Sequence, residues 1–412
     1  MNQLTLLLLC AALVAYAAFS RRIASTIVTA PILFMAIGLA LGPAGAGALA
    51  LDFENETLNL LAEFTLILVL FTDASKVDAK ALSMDLSVPS RMLFIGIPLV
   101  AAAGTAAALV LPLGVELWQA ALLAAILTPT DAALGQAVIT SERVPERLRR
   151  ILTVESGMND GLVLPLILFF ACVARLGHSA ELDVNWALFV AGQLLLGPAA
   201  GALVGAGGAA LLDYADERGW TEKAATGTAT IALAAATYLL AELIGGNGFI
   251  AAFVGGLVFG YRLKSSASFL TEFMEAEGQT LALLVFAVFG ASLLPGALSE
   301  LSWATALYAV LSVTVIRIVP VFLSLTGAGL KTRDKLFLGW FGPRGLASVL
   351  FTVFVFEEAG MPVADRLIAV IYLTVGLSIV VHGVSALFLT KLFEGRSGSE
   401  RAIAPGMSTP TP

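Results

Sequence analysis

Residues 155–165 read ESGMNDGLVLP. Two carboxylates and an amide stand within six residues, between the basic run ERLRR upstream and the apolar run LILFFACVA downstream. Residues four apart share one face of a helix. Ser156 and Asp160 form one such stripe, and Glu155 and Asn159 form its neighbour. The first stripe offers hard oxygen ligands, which suit a hard cation such as Na⁺. The second carries a carboxylate that needs a counter-charge, available from Arg317 or Arg344. The plainer role for Glu155 is to reach toward the basic loop, and for Asp160 to stabilise its helix.

The elements that carry these residues are apolar. Of 412 residues, 58% are hydrophobic and only 13% charged, about half the charge of an ordinary soluble domain. With repeated long apolar runs, this indicates an all-α polytopic membrane protein and excludes a soluble enzyme. A net charge of −7 without a basic tract argues against nucleic-acid binding. The two cysteines, Cys10 and Cys172, lie in apolar runs, so no disulfide framework is expected. No CxxC or His/Cys cluster suggests zinc. The opening MNQLTLLLLCAALVAYAAFSRR has its positive charges after the apolar run rather than before it. It is expected to be a retained first span with its N-terminus outside.

Hydropathy predicts about thirteen spans, at 3–20, 23–42, 57–75, 92–112, 116–140, 151–174, 185–212, 223–244, 247–261, 278–297, 301–326, 335–356 and 366–390. With this count, all but four of the 23 Lys and Arg fall in loops or a tail on one side. Such asymmetry predicts an N-out, C-in chain. The four exceptions are Arg175 and Arg366 in outer loops, and Arg317 and Arg344 inside spans. Asp73, Asp131, Glu155 and Asp160 are the strongest intramembrane acids, with Glu63 and Glu242 behind them. A charge at membrane depth costs a few kcal/mol and marks an ion or proton pathway, or a partner to one.

The fifth and twelfth spans, ILTPTDAALG and WFGPRGLASV, each hold a mid-span proline, which breaks or kinks a helix. Backbone freed in this way lines a cavity or is buried in protein. Seven spans apart, the two breaks run in opposite directions. They fit two inverted six-span repeats, about 3–174 and 223–390, joined by a linking span at 185–212. A carboxylate in a partly dry cavity holds a proton nearer neutral pH, whereas a cation there favours its ionised form. Proton and cation would then compete for Asp160, which suffices for an exchanger.

These segments match a known family. TPTDAA (128–133), ESGMNDG (155–161) and GPRGLAS (342–348) resemble the signatures of NhaP-type Na⁺/H⁺ antiporters, the electroneutral branch related to animal NHE exchangers. FTDAS (71–75) resembles the family's acidic third-span motif, and RIVPVF (317–322) its tenth-span arginine motif. The resemblance spans nearly the whole chain. It implies thirteen spans, a homodimer in the bacterial inner membrane, and a mobile core moving past a dimerisation domain. It implies that Asp160 is the ion- and proton-binding carboxylate. Ser156, Asp73 and Thr130 (through its carbonyl) are then co-ligands of Na⁺, and Asp131, the acid at the broken fifth span, is counted with the ion- and proton-binding residues. Glu155 and Asn159 form a polar network with Arg317, the first-choice partner of Glu155, and Arg344, the second.

Asn-Asp at 159–160, where electrogenic relatives carry Asp-Asp, fits one proton per cation. Asp73, where many relatives carry Glu, is a departure that bears on co-ligand geometry and ion preference. No cofactor is expected beyond the transported Na⁺ or Li⁺ and H⁺. K⁺/H⁺ exchange is the alternative within the class. A cation channel would need a continuous pore with symmetric rings, and none is evident. A hydrolase would need a nucleophile with a base; His178 and His382 have no matching Ser motif and are read as structural, with His382 as a pH sensor kept as the other reading. The segment 394–412 reads as a disordered tail within an otherwise single transmembrane domain, 1–393. No nucleotide-binding module is expected, which argues against the larger potassium-efflux relatives.

Overall fold

The computed structural model describes residues 3–24, 26–49, 56–77, 87–176, 184–263, 267–358 and 365–393. His178 and the tail 394–412 lie outside the described residues. Among those described, helices are the only regular element. In chain order they are α1 (Gln3–Ala24), α2 (Ala30–Leu41), α3 (Glu56–Ser75), α4 (Ser87–Val110), α5 (Leu117–Ile126), α6 (Ala132–Ile139), α7 (Glu146–Leu176) and α8 (Val184–Glu217). Next come α9 (Lys223–Leu243) and α10 (Gly248–Arg262). The helix α11 runs as Ala267–Val288, a π turn Phe289–Leu293, and Leu294–Ser299. Then follow α12 (Trp303–Ser324), α13 (Thr332–Trp340), α14 (Leu346–Glu358) and α15 (Asp365–Lys391).

Every apolar stretch read from the sequence falls on a helix or on a broken pair of helices. Eight described helices are long and apolar enough to cross a membrane, and α2, α5, α10 and residues Leu346–Phe356 of α14 are shorter apolar helices. The chain is an integral membrane protein. Its long helices are not equally enclosed. The apolar stretch of α15 is 72% buried and that of α1 only 11%, so α15 is a central post and α1 an exposed flank. An all-round apolar helix is stable in either place.

Small residues set the closest approaches. Gly256 and Gly260 on α10 rest on the backbone of Phe71 and Ser75 in α3, while Gly201 and Gly205 on α8 rest on Ala251 and Gly255. A Cβ at any of the four would run into main chain. Glycines four apart make a flat stripe that lets helices touch where lipid supplies no hydrophobic drive. α10 is thereby clamped between α3 and α8, which fixes where the end of α3 lies. Glu242 has a local role here: its Oε1 accepts a hydrogen bond from Gly248 N (2.8 Å), and Asn247 Oδ1 accepts one from Ile250 N (2.9 Å), so the two side chains cap α10.

The regular pattern fails in three places besides the expected breaks. α4 contains a π turn at Met92–Gly96, α11 another at Phe289–Leu293, and α12 is interrupted at Thr314 (φ −118°, ψ −95°).

Candidate functional site

Two five-residue breaks, 127–131 between α5 and α6 and 341–345 between α13 and α14, cross each other. Pro129 and Pro343 sit at their middles. Asp131 N donates to the Pro343 carbonyl (2.8 Å). The Asp131 carboxylate is used at both oxygens. Its Oδ1 accepts from Ala133 N (2.7 Å) and Leu134 N (3.3 Å), and its Oδ2 accepts from Leu346 N (2.6 Å). One buried carboxylate therefore caps the N-termini of two half-helices, α6 and α14, where the aligned peptide dipoles leave partial positive charge. Gly345 is required at this point, because a Cβ there would occupy the position of the carboxylate. The other end of the junction is closed by Ser348, whose Oγ donates to the Ile126 carbonyl at the end of α5 (2.7 Å).

α7 lays its polar stripe against this crossing. Asn159 Nδ2 donates to Thr130 Oγ1 (2.5 Å), and Thr130 Oγ1 lies 3.4 Å from Ser156 Oγ. Thr130, Ser156, Asn159 and Asp160 are all buried. Asp160 Oδ1 has no hydrogen-bond partner among the described residues, nor has Asn159 Oδ1 or Thr72 Oγ1. Buried polar atoms are nearly always paired; Glu155 Oε2 is unpaired too, but Glu155 is held by Arg317, which leaves Asp160 as the buried acid here open to a cation or proton. Asp73, Asp131 and Glu155 all lie within electrostatic range of Asp160.

Asp73 reaches the site from the last turn of α3. Its carbonyl packs on Gly157, where a Cβ would come within 2.8 Å of the oxygen. The glycine thus lets α3 touch α7 beside Asp160. The Asp73 carboxylate accepts a hydrogen bond from Lys76 Nζ (3.0 Å), and Lys76 lies 3.8 Å from Glu275 on α11. Glu275 Oε1 also accepts from Gln136 Nε2 on α6 (3.0 Å) and Gln279 Nε2 (3.3 Å). Burial is the largest influence on Lys76 and works against its charge, but Asp73 and Glu275 together outweigh it and hold the ammonium above the ordinary lysine range. Thr72, Asp73, Lys76, Asp131, Gln136 and Glu275 line one cavity of about 40 Å³.

Glu155 pairs with Arg317 rather than Arg344. Arg317 Nη2 donates to Glu155 Oε1 at 2.5 Å, with both side chains almost wholly buried. Arg344 Nη1 donates to the Gly342 carbonyl and Nη2 to the Ser312 carbonyl (3.3 Å), while its backbone N donates to Ser378 Oγ (2.7 Å). Glu155 and Arg317 remain within electrostatic range of Arg344. His382 sits beneath, one ring nitrogen 3.0 Å from the Trp340 carbonyl and the other 3.1 Å from Ser378 Oγ. It ties the end of α13 to α15.

The structure thus gathers Asp73, Thr130, Asp131, Glu155, Ser156, Asn159, Asp160, Arg317 and Arg344 around one crossing, whereas Glu242 caps α10 instead. It adds residues that hydropathy did not single out: Lys76, Gln136, Glu275, Gln279, Ser348 and Ser378. The three-residue spacing of Asp73 and Lys76 was the available signal for Lys76. The others come from distant helices and carry no local mark.

Three comparisons bear on this geometry. Residues 8–392 match the family model described as sodium/hydrogen exchanger, transmembrane. The chain is 26% identical over 366 residues to the K(+)/H(+) antiporter NhaP of Alkalimonas amylolytica, covering 87% of this chain and 62% of that one. It is 25% identical over 246 residues to a Na(+)/H(+) antiporter of Schizosaccharomyces pombe, covering 55% and 52%. The chain therefore spans about three fifths or less of the length of these relatives. In fold it is similar to the sodium proton antiporter MjNhaP1 of Methanocaldococcus jannaschii, with a TM-score of 0.76 at 20% identity over 96% of this chain and 99% of that one.

Proposed function

This chain belongs to the transmembrane sodium/hydrogen exchanger family, and on that premise we propose that it exchanges a monovalent cation for protons by alternating access, with both competing for Asp160. The observation that carries the reading is the buried Asp160 oxygen without a protein partner, set beside two broken helices. An unneutralised carboxylate resists passage through a dry barrier at a cost of a few kcal/mol. A proton or a cation removes that charge. The loaded site can then change the side it faces, whereas the bare site cannot. Ser156, Thr130 (through its carbonyl) and Asp73 complete the cation's oxygen shell, and Asp131 holds the crossing in shape. Asn159 adds no titratable charge, so one proton leaves for each cation and the exchange is electroneutral.

The proposal includes thirteen crossings in two inverted repeats, about 3–174 and 223–390, a homodimer, and a cell-membrane location with the C-terminus cytoplasmic. Na⁺ or Li⁺ is the first reading of the substrate. K⁺ is the second, favoured by the antiporter from Alkalimonas amylolytica, which is named for K⁺/H⁺ exchange. The test uses everted vesicles carrying a transmembrane pH gradient. Na⁺ should dissipate the gradient, and Asp160→Asn should abolish the response. Full activity in Asp160→Asn overturns the site assignment, and a rate that follows an imposed membrane potential overturns electroneutrality. A series of Li⁺, Na⁺ and K⁺ decides between the two substrate readings.

A further inference from the structure

We propose that Lys76 is a tethered competitor of the transported cation, resting on Asp73 when the site is unfilled and moving to Glu275 when a cation arrives. This rests on the exchange reading above and deepens it.

The geometry gives Lys76 two acids at unequal distances. Its Nζ is 3.0 Å from Asp73 Oδ1 and 3.8 Å from Glu275 Oε1, so a sub-ångström movement exchanges the nearer partner. Glu275 is prepared to receive it. Gln136 and Gln279 both donate to Glu275 Oε1, which fixes the carboxylate without neutralising it. All three charged side chains are largely withdrawn from water, at 19% exposure for Lys76, 17% for Asp73 and 32% for Glu275. An exposed ion pair is worth little because solvent screens it. This pair is screened far less, so occupancy of Asp73 by the ammonium is a real obstacle to any other cation there.

Charge accounting sharpens the point. Among the described residues, Lys76 serves two carboxylates, which leaves that trio one positive charge short. The cavity they line also reaches Asp131 and Gln136, and the carbonyl of Asp73 packs on Gly157, three residues before Asp160. A cation entering here meets the deficit directly. It takes Asp73, the ammonium shifts to Glu275, and each of these two carboxylates then has a cation. A purely structural bridge would need only one acid and no second seat. Gln136 lies on α6, the second half of the broken helix, so the seat that receives Lys76 is mechanically joined to the crossing.

Lys76 is therefore a positioning residue that sets cation affinity. The experiment is initial-rate exchange by the full chain in proteoliposomes, titrated with NaCl, LiCl and KCl, for wild type, Lys76→Gln, Lys76→Arg, Glu275→Gln and the double variant Lys76→Gln/Glu275→Gln. Removing the competitor lowers the KM of Lys76→Gln about tenfold, the size that one hydrogen bond to a charged group carries, with a smaller change in maximal rate. Lys76→Arg stays near wild type. Glu275→Gln denies Lys76 its second seat and raises KM, and this rise vanishes in the Lys76→Gln background. An unchanged or raised KM in Lys76→Gln overturns the proposal. So does a Glu275→Gln effect that persists without Lys76. If Lys76→Gln does not fold, a Glu275→Gln variant with unchanged KM overturns it instead. A wild type in which none of the three cations drives proton flux overturns the exchange reading, a result distinct from active exchange with unmoved KM.

Discussion

The buried pair of Glu155 and Arg317 allows a prediction whose sign depends on a third residue. At 2.5 Å, the direct attraction is roughly 7 kcal/mol for an effective dielectric of about 20. Desolvation consumes part of that, and breaking a buried pair from one side typically costs about 3–5 kcal/mol. The two ways of breaking it are not equivalent here, because Arg344 lies within range of both partners. Arg317→Met leaves Glu155 with Arg344 still nearby, so the carboxylate keeps a counter-charge and the cost falls near 3 kcal/mol. Glu155→Gln leaves two guanidinium groups facing each other with no acid between them, which puts the cost near 5 kcal/mol. Thermal unfolding of purified protein in detergent, followed by tryptophan fluorescence, reads the difference. Extending the known size scaling, each kcal/mol moves Tm by roughly 1–2 °C in a chain this long. Glu155→Gln should therefore melt about 2–4 °C below Arg317→Met, and both should melt below wild type. The double variant should recover part of the loss relative to Glu155→Gln. An Arg317→Met protein that melts at or below Glu155→Gln refutes the sharing of Glu155 by two arginines.

Two further perturbations probe the crossing. Asp131→Asn replaces one acceptor oxygen with a donor, so an N–H must face Ala133 N or Leu346 N. The loss is about 3 kcal/mol, combining a charge-assisted bond with weakened complementarity to two helix N-termini, and a Tm unchanged within error would refute the double cap. Gly157→Ala forces a Cβ to within 2.8 Å of the Asp73 carbonyl, so α3 must withdraw from α7. It should cost about 1–3 kcal/mol and slow exchange, whereas Gly207→Ala, with nothing within 4 Å of its Cβ, should be neutral or stabilising. Equal behaviour of the two alanine variants in vesicle flux would refute the close-approach argument.

The sequence announced the site unevenly. Pro129 and Pro343 marked both breaks, since a missing N–H and a ring clash leave a local trace. The stripe of Ser156 and Asp160 was readable from spacing alone. Spacing left Arg317 and Arg344 both open as partners of Glu155, since each interrupts an apolar span; the family resemblance put Arg317 first, and the fold brings it to 2.5 Å. Lys76 was assigned to a loop by its charge, yet it turns back onto Asp73. α11 begins at Ala267, well before the expected 278, because Glu275 and Glu277 lie on a helix that continues past its apolar part. Hydropathy measures where lipid is tolerated, and the helix ends where its hydrogen bonds end. The π turns in α4 and α11 left no mark in composition.

The double cap by Asp131 also has a consequence for biogenesis. Its two oxygens serve residues 133–134 and residue 346, the last of these 215 positions later in the chain. At translation rates of about 5–20 residues per second, roughly 10–45 s separate the synthesis of Asp131 from that of its distant partner. Throughout that interval the first break sits at the membrane with one carboxylate oxygen and its own N–H awaiting Leu346 and Pro343. The early half of the chain must therefore be sheltered, by the insertion machinery or by water held in the unfinished crossing, until the late half arrives to close it. Ribosome-stalled chains ending before and after the second break should differ sharply in protease resistance around residue 131.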